Sequence, residues 1–189
     1  MKSENVDVKH FQAIPWCRAL IEEPNTVRET ASSRFVKPSG EDILFANVLN
    51  TPDTIKAFLI LYTPPPPAPP GSPAARIDEA RFLITLGYKV AGYPNVCHGG
   101  IVMTILDEVI GLLFPLNKER NAIPETSYMT GYLNTSFMAP VEVPGTYLCR
   151  STIDRVEGRK YFMTGTIEDS KGSVVARGEA LYIGLKEKL

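Results

Sequence analysis

The spacing of apolar residues changes several times along the chain, and each change predicts a different element. Phe11, Ile14, Trp16, Leu20 and Ile21 fall on one helical face, with Pro15 near its start and Pro24 ending it. Phe45 to Tyr62 reads as a long strand-like segment interrupted at Thr51-Pro52-Asp53. The run from Thr63 to Pro73 is dominated by proline, which lacks an amide proton and has a fixed φ, so it predicts an extended surface loop. That loop is either a bare linker or a ligand for an SH3-type partner. Arg81 to Gly87 predicts a short strand. His98 to Phe114 is the one long, nearly all-apolar helical run, with Pro115 expected to stop it. Strands are then predicted at about 126–138, 145–156, 159–169 and 173–185, separated by turn signals such as Glu157-Gly158 and Asp169-Ser170-Lys171-Gly172.

Strand, strand, buried helix and four strands make an α+β fold, an antiparallel sheet wrapped around one long central helix. The division expected is a helical extension over 1–40 and one main domain over 41–189, with the proline-rich loop at 63–73. A helix apolar on almost every side needs cover on almost every side. The sheet supplies one side, and a partner subunit is the simplest source of the other.

Composition narrows the function. The formal net charge of -1 provides no bulk field for nucleic acid or an acidic membrane. No apolar run is expected to reach the roughly 20 residues of a membrane span, and Met1 to Phe11 carries too many charges for a secretory signal. Three cysteines, Cys17, Cys97 and Cys149, form no CxxC pair and point to a reduced compartment, the cytoplasm, with peroxisome and mitochondrion as alternatives. The C-terminal Glu187-Lys188-Leu189 resembles a peroxisomal Ser-Lys-Leu signal with Glu in the first position. Two histidines, His10 and His98, are too few for a metal site, and no metal or redox cofactor is expected.

The candidate chemistry lies in Asn95-Val96-Cys97-His98-Gly99-Gly100 and the helix that follows. A helix N-terminus has unpaired amide protons and positive partial charge, and glycine lets a ligand oxygen come close. Those are the ingredients of an oxyanion hole. Asp107 sits two turns into Ile, Val, Met and Leu, so it either faces a polar cavity or has firm hydrogen-bond partners. Glu108 is the competing carboxylate, about 100° round the helix. A Cys97–His98 nucleophilic pair is disfavoured because adjacent residues rarely point at each other. No Gly-x-Ser-x-Gly elbow occurs.

The segment resembles the hotdog-fold acyl-CoA thioesterases of the phenylacetate-pathway and THEM types, which carry His-Gly-Gly and an acid nine residues after the histidine. Here that acid is Asp107. The resemblance covers roughly residues 45–185. It implies that the Gly99 amide polarises the thioester carbonyl, that Asp107 acts as base or nucleophile, and that His98 organises the helix entry. It also implies that Thr130, ten residues before Pro140, orients the attacking water. Gly100 and Glu108 are expected beside the substrate. An asparagine that some members place six residues before the histidine is Gly92 here. Arg159 and Lys160, with Arg155, form a basic hairpin tip that is either solvated or a grip on coenzyme A phosphates. Coenzyme A enters only as part of the substrate, and an acyl-carrier thioester is the alternative. No nucleic acid or membrane partner is implied.

Helix geometry adds a constraint. Gly99 and Asp107 are eight residues apart, about 12 Å along the axis, whereas attacker and oxyanion donor must both lie within roughly 3 Å of one carbonyl. Two antiparallel chains would resolve this, as a homodimer or a dimer of dimers. The rival readings are a hotdog hydratase or dehydratase, disfavoured because no histidine follows Asp107, and a silent acyl-binding hotdog protein.

Overall fold

A computed structural model describes residues 5–69, 71–72 and 74–186; Met1 to Glu4 and the Glu187-Lys188-Leu189 signal lie outside them. Two short helices, α1 (Val6–Gln12) and α2 (Pro15–Ile21), lead into strand β1 (Val27–Thr30). Strands β2 (Ile55–Tyr62) and β3 (Glu79–Leu86) follow, then a small hairpin of β4 (Ala91–Tyr93) and β5 (Val96–Cys97). The central helix α3 (Gly99–Gly111) continues into α4 (Leu113–Lys118). Strands β6 (Tyr128–Phe137), β7 (Gly145–Glu157), β8 (Lys160–Glu168) and β9 (Val174–Gly184) complete the chain. Seven strands form one antiparallel sheet in the order β1-β2-β3-β7-β8-β9-β6. This is the hotdog arrangement.

The sheet is covered on both faces, which explains its sequence pattern. Phe58, Ile60, Phe82, Ile84 and Cys149 join the core with Val102, Ile105, Leu106, Val109 and Ile110 of α3. Leu59, Leu61, Leu83 and Leu148 form a second cluster with Phe11, Cys17 and Ile21 of α1 and α2. Hence β2 reads as a continuous apolar run, because both of its faces are buried. Strand β8 is buried on one face and alternates strictly. Gly165 in β8 lets α3 approach, since a Cβ there would lie 2.8 Å from Ile110 Cγ1.

Several expectations are corrected. The 1–40 segment is not a separate appendage: β1 pairs with β2 in the main sheet. Beside it, the buried Arg34 donates to the carbonyls of Ile55 (2.9 Å) and Leu49 (3.4 Å). Its helical part is two helices, because Pro15 lacks an amide proton and starts α2 rather than joining it to α1. Leu44–Val48 is a π-helical turn instead of strand, so β2 begins only at Ile55. Pro115 does not end the helical path; it sits in the first turn of α4, where a missing amide proton costs little. Gly99–Lys118 together are long and apolar enough to cross a membrane, contrary to the reading that no such run exists. Half of that stretch is buried in the fold, with Asp107 and Glu108 inside it.

Candidate active site

The His98-Gly99-Gly100 turn is organised by its own atoms. His98 is the N-cap of α3, and its Nδ1 accepts the Gly100 amide proton at 2.9 Å. Gly100 is therefore engaged with His98, which leaves the Gly99 amide as the donor at the helix tip. Gly92 packs directly against the His98 ring: a Cβ at Gly92 would come within 2.7 Å of His98 Cδ2 and 2.9 Å of its Cα. An asparagine at that position has no room, which accounts for the departure from the family pattern. Cys97 is buried, its thiol donates to the His98 carbonyl at 3.7 Å, and burial pushes its pKa up to about 11. It is a poor nucleophile at neutral pH.

At the other end of α3, Asp107 is gripped by two hydroxyls. Thr130 Oγ1 donates to Asp107 Oδ1 at 3.0 Å, and Tyr182 OH donates to the same oxygen at 2.7 Å. Tyr182 OH also lies 2.8 Å from the Asp107 carbonyl. Burial, then the neighbouring Asp107 charge, raises the Tyr182 pKa, so the phenol keeps its proton and serves as a donor. Thr130 is aimed by a β-bulge: the β6–β9 register shifts between Thr130 and Tyr132. Its proton goes to Asp107, so its free lone pairs remain to orient a water.

Glu108 shares the cavity with Asp107 but sits in a drier place. The cavity is about 370 Å³ and is also bounded by Ser33, Lys37, Asp42, Tyr128 and Thr130. Burial raises the Glu108 pKa to about 7, against the pull of the nearby Ser33 hydroxyl; Asp42 and Asp107 add to the rise. A carboxylate pre-oriented by two hydroxyls beside a cavity, with an open helix-tip amide on the same helix, suits attack on an acyl group.

Residues 94–176 match the family model described as Thioesterase superfamily. Over those residues the chain is similar to the thioesterase superfamily. It is 33% identical over 130 residues to Verlamelin biosynthesis protein B of Lecanicillium sp, covering 66% of this chain and 49% of that protein. It is 30% identical over 100 residues to Acyl-coenzyme A thioesterase THEM4 of Mus musculus, covering 52% of this chain and 40% of that protein. The chain thus spans about half or less of the length of these curated relatives. A structure of a "Hypothetical Thioesterase Protein with Coenzyme A" from Streptococcus pneumoniae TIGR4 superposes with a TM-score of 0.52. It is 12% identical, covering 61% of this chain and 84% of that one, and shows the shared fold.

The basic hairpin at Arg155, Arg159 and Lys160 divides. Arg159 lines a second cavity of about 560 Å³ and donates to the Gly184 carbonyl at 2.6 Å. Tyr128 lines both cavities, so they share a wall. Lys160 is exposed and does not line the Arg159 cavity. Arg155 is occupied by Glu157 at 2.8 Å and by the Phe162 ring. The sequence reading missed Tyr182. Its signal was a phenol on the inward side of β9, whose hydroxyl must find a partner once buried. Ser33 was missed as well, because it belongs to the segment set aside as an extension.

Proposed function

We propose that this chain hydrolyses acyl thioesters of coenzyme A to the free acid and the thiol. The observation that carries the reading is Asp107 Oδ1 held by Thr130 and Tyr182 at the edge of a cavity, in a segment similar to the thioesterase superfamily. The name of the THEM4 relative, an acyl-coenzyme A thioesterase, supports the choice of coenzyme A over a carrier protein. The Gly99 amide polarises the thioester carbonyl and stabilises the developing oxyanion. Asp107 either takes a proton from water as the oxygen attacks, or attacks directly to form a mixed anhydride that water then opens. In both routes the carbon–sulfur bond breaks, the thiolate takes a proton, and the second product is the acid. No metal or redox cofactor has a part in either route.

The site is read as shared between two chains, in a homodimer or a dimer of dimers. The separation of Gly99 and Asp107, about 12 Å along one helix, supports this. So does β6, an edge strand that exposes Met129, Tyr132 and Phe137. Arg159 is proposed to meet coenzyme A phosphates from the adjoining cavity. The three cysteines, all free and buried, suit a reduced cytoplasmic setting.

Thiol release from a panel of acyl-CoAs, read with a thiol-reactive dye, tests the proposal. Turnover that saturates with at least one acyl-CoA is expected, and Arg159→Ala should raise KM for that substrate more than for its pantetheine analogue. Absence of thiol release across the panel, with acyl binding retained, would leave the silent acyl-binding reading in its place.

A further inference from the structure

We infer that Phe137 positions the thioester at the Gly99 amide: its ring is the apolar wall against which the carbonyl group is laid. The inference rests on the thioesterase reading of Gly99 and goes further, to a side chain that touches the substrate.

Gly99 is a glycine that the fold does not require. It lies in the first turn of α3, outside the left-handed region, so its backbone suits any residue. Among the described residues, a Cβ added there would meet the Phe137 ring alone beyond its own turn of chain, with Cε1 and Cζ both at 3.6 Å, an ordinary van der Waals contact. Gly92 and Gly100 differ. A Cβ at Gly100 would lie 3.0 Å from His98 Nδ1, and one at Gly92 would lie 2.7 Å from His98 Cδ2. Those two positions are glycine because the His98 ring fills the space. The notch at Gly99 is bounded instead by a helix-tip amide on one side and an aromatic ring on the other.

The chain holds Phe137 in that place. It is the last residue of β6, paired with Ala176. Beyond it the amides of Met138 and Ala139 both donate to the Val175 carbonyl, at 2.9 and 3.1 Å. The Cys97 amide, two residues before Gly99, then donates to the Val141 carbonyl at 2.8 Å. The end of β6 and the entry to α3 are thereby tied together, which keeps the ring at the helix tip. Yet Phe137 belongs to neither apolar cluster and is 54% exposed. An apolar ring braced beside a backbone donor keeps water from one flank of that donor, and a hydrogen bond to a developing oxyanion is stronger in the drier setting. Phe137 also stands on the β6 edge read above as the subunit contact, where Asp107 of the second chain arrives.

The test uses the whole chain with octanoyl-CoA and two non-hydrolysable relatives. One is the ketone with a methylene between sulfur and carbonyl, and the other is the alkyl thioether that lacks the carbonyl. Phe137→Ala should lower kcat tenfold or more and weaken ketone binding by a similar factor, with thioether binding within twofold of the parent. Phe137→Tyr keeps the ring and should restore both. Gly99→Ala keeps the amide but places a methyl in the notch, so it should lose ketone binding while Tm holds or rises, alanine being the better helix former. Phe137→Ala with kcat and ketone affinity within twofold of the parent would overturn the proposal. So would a loss that tracks a shift to monomer in sizing and returns at high protein concentration, which would make Phe137 an interface residue alone. Ketone binding that depends on Phe137, with no thiol release from any acyl-CoA, would instead overturn the thioesterase reading and keep the wall. Hydrolysis indifferent to Phe137 would do the reverse.

Discussion

The two ends of α3 work in opposite ways. At the N-terminal end the proposed working part is backbone, the Gly99 amide, beside a His98 ring that caps Gly100 and a Gly92 that makes room for that ring. Everything needed lies within a few residues along the chain. Two turns on, Asp107 depends on side chains brought from far away, Thr130 on β6 and Tyr182 on β9, which are 23 and 75 residues distant. One end is local and preset by the helix itself. The other exists only once the sheet has closed around the helix. The difference teaches that substitutions at the C-terminal end can strip function while leaving the fold, whereas those at the N-terminal end disturb the helix start as well.

The largest expected effect follows from that contrast. Asp107→Asn keeps shape and hydrogen-bonding capacity but removes the charge, so kcat should fall at least about a hundredfold, about 2.7 kcal/mol. Circular dichroism and Tm should stay near the parent values. A fall of less than about tenfold would remove Asp107 from the chemistry.

The two hydroxyls that hold Asp107 come next. Tyr182→Phe and Thr130→Val remove one donor each and preserve volume. Each should lower kcat by roughly tenfold with little change in KM, because the loss is felt when the carboxylate acts rather than when substrate binds. A pure KM effect would make either hydroxyl a packing element of the cavity.

The smallest effect sharpens the line between the adjacent carboxyls. Glu108 is raised from 4.5 to about 7 by burial, so the folded state favours its protonated form. Below pH 4.5 it is neutral in both folded and unfolded chains and adds no penalty. As pH rises through that value towards 7 the unfolded chain ionises first, and the fold loses stability. At about 1.4 kcal/mol per pH unit, the penalty above pH 7 is at most roughly 3.5 kcal/mol. Glu108→Gln should abolish it, so the Tm difference between variant and parent should grow from pH 5 to pH 8 in favour of the variant. A pH-independent difference would mean that Glu108 is not a buried acid. Its effect on kcat should be milder than that of Asp107→Asn.

Much of this was legible along the chain, and the gaps have physical causes. The apolar run of α3 and the alternation of β8 specify the helix and the sheet, because periodicity reports burial directly. His98-Gly99-Gly100 was legible for the same local reason that makes it a helix cap. The turn at Leu44–Val48 was misread as strand because a short apolar run has no length to set its period. Pro115 was misread as a stop because one proline in the first turn of a new helix looks like one at the end of the old. Tyr182 and Ser33 were invisible because their roles arise from contacts 75 residues away in the chain. No spacing rule reaches that far.

The most direct measurement mixes two inactive chains. Asp107→Asn lacks the carboxylate, and Gly99→Pro lacks the amide donor at the helix tip, provided sizing and circular dichroism first show that it folds. Each alone should be nearly inactive in thiol release. After subunit exchange at equal amounts, half the dimers are mixed, and each holds one site with both defects and one with neither. Activity should therefore return to about a quarter of the parent value. Activity remaining near zero, with exchange confirmed independently, would contradict the claim that Gly99 of one chain and Asp107 of its partner complete a single thioester site.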